Sequence, residues 1–194
     1  MKAVLASGNA GKVREFAALL AARDIEVMPQ SAFAIETPEE TGTTFLENAL
    51  LKARHAAAKA GLPALADDSG LEVDALGGRP GVWSARYAGE HASDADNLTL
   101  LLRELAAVPD ERRTARFRCV LVFLREPQDP QAVVATGVWE GRVLRAPRGA
   151  NGFGYDPVFQ PLGLALSAAE LSAAEKNVVS HRAQALRALL AALR

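Results

Sequence analysis

The sequence has only one cysteine, Cys119, among its 194 residues. A single cysteine excludes an internal disulfide and a zinc site built from cysteine ligands. Cys119 lies in the apolar run FRCVLVFL, a setting typical of a small buried hydrophobic side chain. We therefore expect its thiol to be buried and to take no part in chemistry.

An excess of charge of one sign is also missing. The 22 Lys and Arg residues nearly balance the 23 Asp and Glu residues, so the formal net charge is −1. Such a chain has no general attraction for a nucleic-acid polymer or an anionic membrane. No apolar run approaches the ~20 residues of a membrane-spanning helix, and no leader with a cleavage site is seen. We expect a cytoplasmic protein whose partner is neither a nucleic-acid polymer nor a membrane.

The apolar pattern predicts strands that alternate with helices and then form a hairpin. Helices are predicted after Lys12, over 45–60, over 93–105 with Ser93 as N-cap, and over about 180–193. Strands are predicted over 3–6, 63–68, 115–124 and 132–138. This order indicates an α/β fold with a mixed central β-sheet flanked by helices, in one domain of residues 1–194.

Two glycine-rich stretches, 69–89 and 148–163, separate the predicted elements. Long loops are usually either functional or disordered. Aromatic side chains in both stretches, such as Tyr87 and Phe153, argue against disorder. We expect the two stretches to be loops that form the walls of a binding site.

The segment SGNAGK, residues 7–12, lies between the first predicted strand and helix. Backbone N–H groups of such a turn and the positive end of the helix attract phosphate. The segment is not a Walker loop, because Ala6 and Val13 stand where that loop needs Gly and Ser or Thr. It is not the dinucleotide fingerprint either, because Ala10 replaces the second glycine. A phosphate site of another kind is predicted.

Two acidic pairs suggest a metal site. Glu39 and Glu40 precede the second predicted helix, and Asp67 and Asp68 end the strand over 63–68. The glutamates could simply favour the helix N-terminus by their charge. The aspartates should point to opposite faces of a strand, so one of them at most faces a given site. Carboxylates without His or Cys partners suit Mg²⁺, which is shared with substrate phosphate.

Two later segments carry further candidates. In GFGYDPVF, 152–159, glycines allow close approach of a ligand and Phe153 offers a flat face for stacking on a base. In EKNVVSHRAQAL, 175–186, the side chains of Lys176, His181 and Arg182 come just before or at the last predicted helix. By themselves these cations could equally be surface or capping residues.

Taken together, the motifs resemble the inosine/xanthosine triphosphate pyrophosphatases, a family that clears damaged purine nucleotides. The matching segments are SGNAGK at 7–12, EETGTTFLENALLKA at 39–53, ADDSGLEVDALGGRPGVWSARYAG at 66–89, GFGYDPVF at 152–159 and EKNVVSHRAQAL at 175–186. The resemblance implies hydrolysis of ITP, dITP, XTP and dXTP to monophosphate and pyrophosphate. It also implies two lobes around a deep nucleotide-binding cleft, and a homodimer.

The resemblance also implies roles for individual residues. Triphosphate binding is implied for Ser7, Gly8, Asn9, Ala10, Gly11 and Lys12. Glu40 and Asp68 are implied to hold Mg²⁺, with Asp68 also the base that activates water. Contacts with the nucleotide, its base and its ribose are implied for Ser69, Phe153, Gly154, Tyr155, Asp156, Lys176, His181 and Arg182.

Two other functions stay open at this point. A related pyrophosphatase for modified pyrimidine nucleotides could share the architecture, although the GFGYD and SHR segments argue against it. A nucleotide sensor without turnover is the second alternative. It has no need for the set formed by Lys12, Glu40 and Asp68.

Overall fold

The computed structural model describes residues 2–20 and 25–193. Met1, residues 21–24 and Arg194 of the predicted domain lie outside the described residues. The helices are α1 (Ala10–Leu20), α2 (Phe45–Ala60), α3 (Asp94–Glu104), α4 (Ala173–Val179) and α5 (His181–Ala192). The strands are β1 (Lys2–Ala6), β2 (Glu26–Pro29), β3 (Ala64–Val73), β4 (Thr114–Leu124), β5 (Val133–Val143) and β6 (Phe159–Pro161).

The six strands form one sheet in the order β2-β1-β3-β4-β5-β6. β1 runs parallel to both β2 and β3, whereas β6 runs antiparallel to β5. The sheet is therefore mixed, and helices flank it. The predicted α/β class is confirmed. No helix among the described residues has the length and apolar character needed to cross a membrane.

The chain forms two compact units. Unit 1 comprises Met1–Asp68, Cys119–Gly137 and Arg182–Arg194, and unit 2 comprises Ser69–Arg118 and Val138–His181. The core of unit 1 is built from β1, α1, β3, β4, β5 and α5, with Phe16, Leu65 and Leu186 among its buried side chains. The core of unit 2 includes Leu101, Trp139 and Phe159. Each unit therefore buries its own apolar cluster.

Helices α2 and α3 begin and end where the sequence predicts. Thr44 caps α2 in a capping box with Glu47, and Gly61 ends the helix in a left-handed conformation. Ser93 caps α3 in the same way, with Asp96 as its partner. Cys119 is buried as expected, and burial raises the pKa of its thiol.

Three predictions about strands and loops are wrong. The strand over 63–68 continues as β3 to Val73, so Asp67 and Asp68 lie inside a strand rather than at its end. The strand over 132–138 continues as β5 to Val143. The stretches 69–89 and 148–163 are not simply loops, because they contain the end of β3, strand β6 and the 3₁₀ helices Asp74–Leu76, Gly81–Arg86 and Asp156–Val158.

A glycine explains why the predicted strand over 132–138 is shorter than β5. Gly141 suggests a break in β5, but the structure requires a glycine there because β6 approaches closely. A Cβ at position 141 would lie 2.4 Å from the carbonyl oxygen of Gln160 and 2.7 Å from the ring of Phe159. The short elements β2 and α4 have weak periodicity, and the sequence did not predict them.

Candidate functional site

The predicted phosphate loop is a short connection between β1 and α1. β1 is buried from Ala3 to Ala6 and ends next to Ser7. The Asn9 side chain accepts a hydrogen bond from the Lys12 backbone N–H at 3.0 Å, and so caps α1. A Cβ at Gly8 would lie 2.8 Å from Oγ1 of Thr37, so a larger residue here would require the Thr37 side chain to move. The expected strand, turn and helix are all present.

Lys12 and Arg182 converge on one buried carboxylate of unit 1. Lys12 Nζ lies 2.9 Å from Oδ2 of Asp67, and Arg182 Nε lies 3.8 Å from the same oxygen. Arg182 Nη1 also donates to Glu15 Oε2 at 2.8 Å. Burial by itself would raise the pKa of the Asp67 carboxyl, but the charges of Lys12 and Arg182 help to lower it to about 2. Asp67 therefore stays ionised and forms ion pairs with both cations.

Glu40 and Asp68 converge on a different cation, the Lys52 ammonium. Lys52 Nζ lies 2.7 Å from Glu40 Oε1 and 2.9 Å from Asp68 Oδ1. Asn48 Nδ2 donates to the other Asp68 oxygen at 3.3 Å. Asp67 and Asp68 thus contact different basic side chains, as opposite faces of a strand require. Glu40 is held by this ion pair and is not merely a charge near the start of α2.

Sequence reasoning missed Lys52 and Asn48. Both are buried, and they stand four residues apart on α2, in the stripe that also buries Ala49 and Ala53. A lysine on the buried face of an amphipathic helix is rarely tolerated without charged partners. The position of Lys52 on the buried face of α2 could therefore have indicated that it pairs with buried carboxylates.

The proton affinities in this cluster reflect burial and charge. Burial raises the pKa of the Asp68 carboxyl, against the opposing charges of Lys52 and Lys12. Burial would lower the pKa of the Lys52 ammonium, but the charges of Asp68 and the other nearby carboxylates raise it instead. Lys52 therefore remains protonated. Asp68 is a buried carboxylate with a greater affinity for a proton than an ordinary aspartate has.

The chemistry of the Glu40 and Asp68 pair fits a hard cation. Among the described residues, no cluster of three or more His, Cys, Asp or Glu side chains could hold a metal ion. The two carboxylates nevertheless direct one oxygen each to a single positive group. Mg²⁺ commonly takes one or two protein carboxylates and completes its shell with water and phosphate. The predicted magnesium site stays a prediction.

In unit 2 the turn from Gly152 to Asp156 carries the predicted stacking residue. Asp156 Oδ2 accepts from the Phe153 backbone N–H at 2.9 Å and from Lys176 Nζ at 2.5 Å. Lys176 Nζ also lies 5.1 Å from the centre of the partly buried Phe153 ring. Phe153, Asp156 and Lys176 are thereby brought together as one cluster.

The other residues predicted for the base and ribose are placed differently. Tyr155 is buried in the core of unit 2, and its hydroxyl donates to the Ser84 carbonyl at 2.8 Å. The buried His181 ring stacks on Phe117 with 4.7 Å between ring centres. Ser69 lies partly buried in β3. Arg182, although next to His181 in sequence, contacts Glu15 and Asp67 in unit 1.

Comparison with known proteins identifies the family of the chain. The model of the Ham1 family matches residues 3–192. The chain belongs to the Ham1 family. It is 58% identical to the dITP/XTP pyrophosphatase of Yersinia pestis and 56% identical to that of Shigella flexneri, over 100% of the chain and 98% of each relative.

Solved Ham1 structures share the fold. The HAM1 protein of Coxiella burnetii is 49% identical, with a TM-score of 0.90, and the Ham1 protein of Staphylococcus aureus is 41% identical, with a TM-score of 0.86. Both comparisons cover 100% of this chain and 98% of the other. The family resemblance expected from the motifs is therefore confirmed.

Proposed function

We propose that this Ham1 protein is a hydrolase that converts ITP, dITP, XTP and dXTP to the monophosphate and pyrophosphate, and so removes them from the nucleotide pool. The names of full-length relatives at 56–58% identity support this function. The structural observation that carries it is the convergence of Glu40 and Asp68 on Lys52. The buried Asp68 carboxylate and the partly buried Glu40 carboxylate, which share a cation, supply a base and an anionic pair for a divalent cation, as hydrolysis of a phosphate anhydride requires.

The triphosphate binds at Ser7, Gly8, Asn9, Ala10, Gly11 and Lys12. Backbone N–H groups at the start of α1 and the Lys12 ammonium supply positive charge. An ammonium has three donors, so Lys12 can contact phosphate while it also contacts Asp67.

Asp68 acts as the base. It takes a proton from the attacking water, whose oxygen bonds to the α-phosphorus while the bond to the leaving pyrophosphate breaks. Burial suits this role because it raises the pKa of Asp68 and so strengthens it as a base. Glu40 and Asp68 would hold Mg²⁺, which when bound neutralises phosphate charge. Lys52 keeps both carboxylates in place.

The base and ribose bind to residues from the later segments. Phe153 stacks on the purine, and Asp156 with Lys176 fixes the turn that carries it. Arg182 and nearby backbone N–H groups donate to the keto oxygen at position 6. The remaining contacts come from Ser69, Gly154, Tyr155 and His181. We further propose that the protein is a cytoplasmic homodimer.

A pyrophosphate-release assay tests the function. ITP and XTP should be good substrates, while ATP, GTP and dUTP should be poor. Preferred turnover of modified pyrimidine nucleotides would favour the pyrimidine enzyme instead. Tight binding of ITP without release of pyrophosphate, in the presence of Mg²⁺, would indicate a sensor.

A further inference from the structure

The turn that carries Phe153 is held by hydrogen bonds on both sides of Gly154. The Phe153 N–H donates to the Asp156 carboxylate at 2.9 Å, and the Asp156 N–H donates back to the Phe153 carbonyl at 3.2 Å. Gly152 must be glycine, since a Cβ there would lie 2.1 Å from Asp156 Oδ2. These bonds fix the two ends of the turn but not its centre.

The centre of the turn is held by Asp94, a residue 60 positions earlier in the chain. Gly154 N–H donates to Asp94 Oδ2 at 2.7 Å. Hydrogen bonds from a backbone N–H to a carboxylate are among the stronger ones in proteins. Because Gly154 lies between Phe153 and Tyr155, this bond determines the path of the backbone at the stacking residue.

Helix α3 makes Asp94 a firm point of attachment. Leu101 of α3 is fully buried in the core of unit 2. Asn97 is buried too, accepting from the Ala88 N–H at 2.8 Å and donating to the Ala85 carbonyl at 3.1 Å. Asp94, at the first residue of this helix, therefore cannot move freely with the turn.

Asp94 is not needed to cap its own helix. Ser93 and Asp96 already form a complete capping box at the start of α3. Asp94 is exposed, so burial does not force its side chain towards Gly154 either. The bond to Gly154 is thus the distinct structural contribution of this carboxylate.

We propose that Asp94 is a positioning residue for base recognition. Through Gly154 it sets the orientation of the Phe153 ring, and it contacts neither the phosphates nor the reacting atoms. This inference rests on the proposed function, in which Phe153 stacks on the purine. Loss of Asp94 should therefore weaken binding of the base and leave phosphate binding and chemistry nearly unchanged.

The test compares Asp94→Ala with Asp96→Asn, which removes one charge from the same helical turn but keeps a capping oxygen. Calorimetry measures the dissociation constants of two probes, IMP and tripolyphosphate. Asp94→Ala should raise the dissociation constant of IMP about 5- to 10-fold, which is the scale of one hydrogen bond. It should raise that of tripolyphosphate less than about 2-fold. Its KM for ITP should rise while kcat stays within about 2-fold.

Asp94→Asn, which retains a carbonyl oxygen, should recover most of the lost affinity. Amide hydrogen exchange gives a readout that needs no ligand: exchange at Gly154 should speed up in Asp94→Ala and not in Asp96→Asn. Unchanged exchange, or equal weakening of both probes, would overturn the proposal. Failure of the wild-type protein to bind IMP or hydrolyse ITP would instead overturn the proposed function, and with it the role assigned to Asp94.

Discussion

Lys12 and Asp67 form an ion pair, with 2.9 Å between Nζ and Oδ2, that joins α1 to β3 within unit 1. The carboxylate is almost completely buried, with only 1% of Asp67 exposed. The lysine assigned to phosphate binding is therefore also a partner for a buried charge. Its removal should affect both ligand binding and folding, and the two effects can be separated.

Lys12→Ala should raise KM for ITP about 10-fold or more, because the variant loses the positive charge that binds the triphosphate. The substitution should weaken binding of the monophosphate product less. The melting temperature should fall as well, since Asp67 is left buried with fewer opposite charges. The double variant Lys12→Ala/Asp67→Asn should regain thermal stability but not KM. Equal loss of affinity for triphosphate and monophosphate would place Lys12 away from the phosphates.

Lys52→Met should make stability depend on pH in a specific direction. The charge of Lys52 lowers the pKa of Asp68, so its loss raises that pKa further above the unfolded value. A raised carboxyl pKa means that the folded state binds the proton more tightly than the unfolded state does. The variant should therefore be destabilised at neutral pH and regain stability as pH falls through the raised pKa. Melting curves between pH 5 and pH 8 in EDTA measure this, and a parallel loss at every pH would contradict it.

Asp68→Asn should lower kcat about 100-fold or more, because Asn cannot accept the proton from water. The fold should survive, since the amide oxygen can still accept a hydrogen bond from Lys52. Single-turnover rates with ITP and a melting curve check both statements. Asp67→Asn is the matched control at the neighbouring position. A severely impaired Asp67→Asn beside a nearly normal Asp68→Asn would mean that the roles of the two are reversed.

Glu40→Gln should weaken binding of Mg²⁺ without unfolding the chain. The amide keeps an oxygen for Lys52 but lacks the charge that attracts a divalent cation. Titration of activity with Mg²⁺ should show a higher half-saturating concentration, and calorimetry should show weaker Mg²⁺ binding. Wild-type turnover that persists fully in EDTA would rule out an obligatory metal.

Arg182→Ala should lower kcat/KM for ITP far more than for ATP. Arginine has only donors, which match the keto oxygen of hypoxanthine and oppose the amino group of adenine. Sites of this type can reject the wrong partner by up to ~10⁴-fold, so the ratio between the two substrates should shrink. Arg187→Ala, on the exposed side of the same helix, is the control. An unchanged ratio in Arg182→Ala would show that Arg182 does not distinguish the bases.

Local signals predicted some elements fully. The bounds of α2 follow from Thr44, Glu47 and Gly61, which act within a few residues of the helix ends. The extent of β3 could not be predicted in this way. Ser69 and Gly70 are typical of a turn, yet the strand continues, paired with its neighbours in the sheet and buried along most of its length. Long-range pairing decided that element.

The candidate site divides in the same manner. The acids at 40 and 68 and the loop at 7–12 could be found from residue types and order. The partners of these residues could not, since Lys52 is brought to Asp68 and Arg182 to Glu15 only by folding. Asp94 illustrates the same limit, because nothing near it in sequence indicates that it contacts Gly154.

The make-up of unit 1 has a consequence for synthesis on the ribosome. Its core joins Ala3 and Leu5 of β1 to Leu186 and Leu189 of α5, which are translated much later. Strand β1 therefore lacks part of its packing until α5 has left the exit tunnel. Chains that stall before α5 should expose apolar surface and become substrates for chaperones or proteases. The packing of β1 thus depends on residues that are translated long after it.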